Sequence, residues 1–179
     1  MLDELESERL VLRELTAADV PVLHAFQSCS TQWRRQAVEP TELADSETRV
    51  ANYLKFRGHG AERRLFVYLA RRKIDGAVIG TVSLARSHPA IASLGLGVAA
   101  LHSGLGFGTE MARRLLAFGF ARLPLNRIAA DVAVENRACL RVMDKIGMRR
   151  EGILRDCIFA QGRWWTEAKF AMLRADAAA

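Results

Sequence analysis

Cysteine is scarce, with 3 among 179 residues. Cys29, Cys139 and Cys157 are an odd number at wide spacing without a Cys-x-x-Cys pair, which argues against a disulfide framework, a zinc site or a redox dithiol. Free thiols are the expected state. The chain also lacks any stretch approaching the roughly 18 consecutive apolar residues that a membrane helix needs. Its opening, MLDELESERLVLRE, has charges where a signal peptide would be apolar, and both features point to the cytoplasm and away from a membrane. No repeat, low-complexity tract or linker interrupts the chain, so residues 1–179 are expected to form one domain with a frayed tail over 175–179. A dense basic run is missing too. The formal net charge of +6 suits an anionic ligand, but the cations come in isolated pairs such as Arg34–Arg35 and Arg113–Arg114 without an aromatic platform, so nucleic acid is set aside as a partner.

What is present is an alternation of strand and helix patterns. Residues 9–13 (RLVLR) alternate as a strand, and Leu15, Thr16, Asp19 and Val20 supply a staple and capping box that open a helix, with Pro21 tolerated in its first turn. Val50, Tyr53, Leu54 and Phe56 recur at near-helical spacing up to Gly58 and Gly60. Residues 65–70 and 77–84 read as a hairpin around Asp75-Gly76. A strand over 91–98 then leads through a glycine cluster into a helix carrying Met111, Ala112, Leu115, Leu116 and Phe118. A strand over 127–134 follows. Asn136 caps a further helix with Cys139, Met143 and Ile146 along one stripe, ended by Gly147 at the C′ position. Strands at 153–160 and 164–173, joined by Gln161-Gly162, close the chain.

The glycine cluster is the most informative local feature. Residues 103–110 read SGLGFGTE, and glycines at alternate positions permit positive φ and close backbone approach, so successive amides can converge on an anion. The helix that follows adds its unsatisfied amides and its dipole. The spacing is neither the Rossmann G-x-G-x-x-G fingerprint nor a Walker loop with Gly-Lys-Ser/Thr. A tight strand-to-helix turn without a ligand is the bland alternative.

With the strand before it, the run Ser103, Gly104, Leu105, Gly106, Phe107, Gly108 resembles motif A (R/Q-x-x-G-x-G/A) of the GNAT superfamily of N-acetyltransferases. Ser103 replaces the Arg or Gln of the first position, which removes a long side chain while leaving the amides of residues 105–109 available. Residues 136–152, NRACLRVMDKIGMRREG, look like the N-x-x-S-x-x-V-x-x-K-x-G-F/M-x-x-E-G segment of the ribosomal-protein-alanine N-acetyltransferase branch, with only the Ser changed, to Cys139. The segments ESERLVLRELTAADV and ILRDCIFAQGRWWTEAKFAMLR are similar to that branch as well, so the resemblance covers nearly the whole chain.

The resemblance implies an α/β (α+β) fold: a twisted, mixed, mostly antiparallel sheet of about seven strands with helices on both faces. The strands at 91–98 and 127–134 are expected to splay apart and admit the pantetheine arm of acetyl-CoA, the co-substrate, with no metal. Backbone groups of Leu96, Gly97 and Val98 would then pair with the pantetheine amides, and a bulge is expected near Gly97. Ser103, Gly104, Leu105, Gly106, Phe107, Gly108 and Thr109 would hold the pyrophosphate, and Asn136 would both cap its helix and touch the coenzyme arm. The implied reaction is direct acetyl transfer to a primary amine in a ternary complex, through a tetrahedral intermediate. The branch implies the N-terminal α-amine of a protein as acceptor, whereas other relatives acetylate polyamines or antibiotics. The chain is expected to act as a monomer or homodimer.

Cys139 takes the position where the family supplies a hydroxyl near the thioester sulfur, and the helix dipole there favours a thiolate, so it is the candidate for protonating the departing thiolate. The alternative is a small buried hydrophobe, the role expected of Cys29 and Cys157. Glu135, Asp131 and His102 lie near the two motifs and are read as solvated surface, which leaves the general base unassigned. Phe159, Trp164 and Trp165 suit either an acceptor channel or core packing, and Trp33 is similarly ambiguous. A non-catalytic CoA-binding module is the rival of another class.

Overall fold

The computed structural model describes residues 4–28 and 42–177. Cys29, Trp33 and the polar stretch around Glu39 lie outside the described residues. One eight-stranded sheet has the spatial order β1 (Leu5–Glu6), β2 (Leu10–Glu14), β3 (Leu65–Arg72), β4 (Val78–His88), β5 (Ile91–Val98), β6 (Arg127–Ala133), β8 (Arg163–Leu173), β7 (Arg149–Ala160). Among the described residues only β5 and β6 run parallel. A parallel neighbour needs a crossover, and α3 (Phe107–Arg122) supplies it. The count exceeds the expected seven by β1, whose two residues pair Leu5 with Leu12 and are too few to show any period.

Alternation along β3 assigns the two faces of the sheet. Phe66 and Tyr68 meet Phe118 of α3 edge-on, with ring centroids 5.7 and 6.1 Å apart. Leu65 and Val67 face the other way, against a cluster of Leu15, Leu23, Val50 and Tyr53 drawn partly from α1 (Val20–Gln27) and α2 (Leu43–Phe56). The larger core lies under α3 and α4 (Arg137–Lys145), where Met111, Leu115 and Met143 are fully buried and each contributes about 2 kcal/mol of transfer free energy. Helices therefore cover both faces, as the sequence led us to expect.

Several boundaries move for local reasons. Asp19 closes a 3-10 turn over Ala17–Asp19 by accepting from the Thr16 N–H at 2.8 Å and from Arg13 at 2.6 Å, and α1 starts only after it, with Pro21 in the first turn. Helix α2 begins well before its apolar stripe. Its first turn, Leu43 to Ser46, carries an exposed leucine, and the Glu42 N–H donates to Asp45 at 2.9 Å. Of the tail expected over 175–179, residues 175–177 are helical and 178–179 lie outside the described residues. In α5 (Arg174–Ala177), Arg174 donates to the carbonyls of Phe120, Leu123 and Leu125, and Asp176 pairs with Arg149. Among the described residues no helix is long and apolar enough to cross a membrane.

Candidate active site

The parallel pairing of β5 with β6 covers only Ile91–Arg127, Ala92–Ile128 and Ser93–Ala129. Beyond it β5 stays bonded to β4 and β6 to β8, so a wedge opens in the sheet. A groove of about 500 Å³ lies along the freed end of β5, bounded by that strand, the glycine turn and α4. Ala99, just past β5, donates to the Ile79 carbonyl at 2.8 Å, so the alternation that turns Gly97 toward β4 turns the backbone of Leu96 toward the groove. Gly97 keeps regular register with Thr81, and the irregularity in this pair of strands lies between Arg86 and His88, not at Gly97 as expected. Glycine at 97 leaves room for a neighbour instead: a Cβ there would stand 2.8 Å from the Phe26 ring, which would have to shift.

The turn takes the left-handed conformation at Gly104 (φ 82°) and Gly106 (φ 84°), and Gly106 is the N-cap of α3. Gly108 lets the first turn of α3 settle onto the sheet, since a Cβ there would lie 3.2 Å from Val98 and 3.5 Å from Val142. Ser103, Gly104, Gly106 and Thr109 line the groove together with Leu96, Gly97, Val98, Asn136 and Cys139. Three expected residues do not. Leu105 is exposed, Phe107 is buried beneath the turn, and the Gly108 backbone is enclosed by helix packing.

Asn136 begins α4, and its Oδ1 accepts the Cys139 N–H at 3.1 Å. Cys139 lines the groove while packing against the core. Burial pushes its thiol up to about 11, so the group is a thiol near neutral pH, not the thiolate that the dipole alone implied.

The same helix adds Ala138, Arg141, Val142 and Lys145, which were not singled out from the sequence. Their spacing of three and four is a helical stripe, visible once Asn136 is taken as the cap. Glu135 and Asp131 are exposed and engaged with Arg163 at 3.5 Å and Lys169 at 2.9 Å, and His102 stacks edge-on to Phe107. Trp165 is core, with its indole N–H on the Ala160 carbonyl at 3.0 Å, whereas Phe159 and Trp164 form an exposed pair. Cys157, expected to be buried, is exposed on β7. Among the described residues no group of three His, Cys, Asp or Glu is disposed to hold a metal ion.

The model of the acetyltransferase (GNAT) domain matches residues 9–149, which include the opened strand pair, the glycine turn and all of α4. The chain belongs to the GNAT acetyltransferase family. It is an acetyl-CoA-dependent N-acetyltransferase. An uncharacterised N-acetyltransferase of Bacillus subtilis (strain 168), YoaA, is 30% identical over 165 residues, covering 90% of this chain and 92% of the relative. A spermidine N-acetyltransferase from Vibrio cholerae, solved with CoA and spermine, superposes with a TM-score of 0.84 at 22% identity, covering 97% of this chain and 100% of the other. RimL, an α-N-acetyltransferase of ribosomal protein L7/L12 solved with coenzyme A in a disulfide to a cysteine, gives 0.84 at 18% identity, covering 96% and 98%. At these identities the two structures speak for the fold.

Proposed function

We propose that the chain is one catalytic domain that moves the acetyl group of acetyl-CoA directly to the N-terminal α-amine of a protein. The observation that carries the acceptor class is the lining of the groove. Arg141 and Lys145 are its charged side chains, and among the described residues that line it there is no carboxylate and no imidazole. An α-amine, with a pKa of about 7.7–8.0, loses its proton near neutrality unaided, whereas an alkylamine near about 10.4 calls for a base. The formal net charge of +6 also opposes the approach of a polycation.

In this reading the glycine turn, through Ser103, Gly104, Gly106 and Thr109 at the start of α3, holds the pyrophosphate, with Arg141 and Lys145 adding positive charge. The β5 backbone over 96–98 takes the place of a sheet neighbour for the pantetheine amides, and Asn136 contacts the arm. The amine nitrogen forms its bond to the acetyl carbonyl carbon as the carbon–sulfur bond breaks, with no acyl-enzyme. Cys139 donates its S–H to the departing sulfur. With a pKa of about 11 it keeps its proton against a thiolate of ordinary pKa, about 8.5, so the proton that neutralises the sulfur is the one the attacking amine gives up. The disulfide to coenzyme A in RimL supports a cysteine close to that sulfur.

A polyamine acceptor is the second reading, favoured by a Vibrio cholerae spermidine N(1)-acetyltransferase that is 28% identical over 88% of this chain. The test is calorimetric titration with acetyl-CoA, then thiol release against N-terminal peptides, spermidine and aminoglycosides. Release with peptides alone supports the proposal, release with spermidine alone transfers it to the second reading, and binding without release overturns both in favour of an acceptor of another class.

A further inference from the structure

The glycine turn is held by a residue nearly a hundred positions away, which lines a pocket adjoining the groove with Gly106, Thr109 and Lys145. Arg9, in the bend between β1 and β2, donates through Nη1 to the Leu105 carbonyl at 3.1 Å and stacks its guanidinium 4.3 Å from the Phe107 ring centroid. Its Nε donates to Glu110 Oε2 at 2.7 Å, and its backbone N–H donates to Oε1 at 2.8 Å. Ser7 completes the set on Oε1 at 2.7 Å. Glu110 stands in the first turn of α3, next to Thr109, which lines the groove. These donors hold the Glu110 carboxyl below the ordinary carboxylate range although burial acts the other way.

We infer that Arg9 is a positioning residue for the coenzyme, acting through Leu105 and Glu110 without lining the groove. Two physical effects combine. A carbonyl held at Leu105 fixes the peptide planes between the two left-handed glycines, so that the turn's amides stay aimed into the groove. The guanidinium also neutralises an anion that would otherwise oppose a pyrophosphate at the same helix N-terminus. The inference rests on the coenzyme reading given above.

The test is calorimetric titration of the full chain with acetyl-CoA, with steady-state rates alongside. Arg9→Ala is expected to weaken binding about tenfold while kcat at saturating coenzyme and the KM for the amine stay within about twofold. Arg9→Lys, which restores charge but not the planar stack and the bond to Leu105, is expected to fall between. The decisive measurement is the Glu110→Gln change in the Arg9→Ala background, which should recover about threefold in affinity by removing the uncompensated anion, a recovery that loss of structure would not produce. Unchanged affinity in Arg9→Ala and Arg9→Lys, or no recovery in the double variant, overturns the role. Absence of acetyl-CoA binding by the unmodified chain overturns the coenzyme reading itself.

Discussion

Asn136 accepts the backbone N–H of Cys139 at 3.1 Å, so the residue that starts α4 also fixes where the groove thiol sits. One side-chain oxygen satisfies a free helix amide and sets the first turn at the mouth of the opened strands. Asn136→Ala is expected to cost about 1 kcal/mol of stability and to weaken acetyl-CoA binding. Asn136→Asp caps equally well but places a negative charge in the groove. Denaturant midpoints should therefore remain near the parent value in the Asp variant while coenzyme affinity falls, and parallel losses of both would remove the second role of the residue.

The half-buried Cys139 thiol makes two predictions that share a cause. A hydrogen bond to a developing thiolate is worth about 1.5–3 kcal/mol, so Cys139→Ala should lower kcat about tenfold or more with coenzyme affinity little changed, and Cys139→Ser should retain most of the turnover. Equal turnover in the Ala variant leaves Cys139 as packing. Stability gives the second readout. The folded pKa of about 11 lies above the unfolded value near 8.5, so the contribution of the protonated thiol is complete below the unfolded pKa and is lost as pH rises toward the folded one. Between about pH 8 and pH 11 the parent should lose more stability than Cys139→Ser, which has no thiol to ionise.

A second buried polar group anchors the opposite face. Glu14, almost fully buried at the end of β2, accepts from Tyr53 at 2.8 Å and from Arg57 at 2.7 Å, and pairs with Arg63. Removing one partner from such a cluster strands the remaining charges, so Glu14→Ala is expected to cost about 3–5 kcal/mol, against about 1 kcal/mol for Tyr53→Phe. Urea titrations in which both cost the same would show that the cluster is wet.

The elements that position the site were readable because their signals are local. The strand at 91–98, the Asn136 cap and the Gly147 stop follow from period, side-chain chemistry and the need for positive φ, and the structure places each where the pattern puts it. Arg9 was hidden because it looks like one end of an alternating strand, and its contacts with Leu105 and Glu110 arise only when β2 and α3 are brought together. The Cys139 thiol misled for a related reason. Its place on a helix first turn is legible in sequence, but the depth to which the core buries it is a tertiary property, and desolvation decides the sign.

Gly106 tests the turn directly. Its φ of 84° is costly for a β-branched residue, and a Cβ there would stand 3.4 Å from Arg9 Nη2. Gly106→Val should abolish acetyl-CoA binding and lower stability by about 1–3 kcal/mol without unfolding the chain, the cost of one strained backbone position. Circular dichroism at the native signal together with undiminished binding would move the pyrophosphate away from residues 103–109.

The pH dependence of the reaction separates the acceptor classes more sharply than relative rates do. With no carboxylate or imidazole among the described residues lining the groove, the rise of kcat/KM with pH should be that of the amine itself. For an N-terminal peptide the limb should level off near about pH 8, where an α-amine has lost its proton, and for spermidine it should continue toward about pH 10. An acceptor limb that levels off well below the pKa of its own amine requires a protein base.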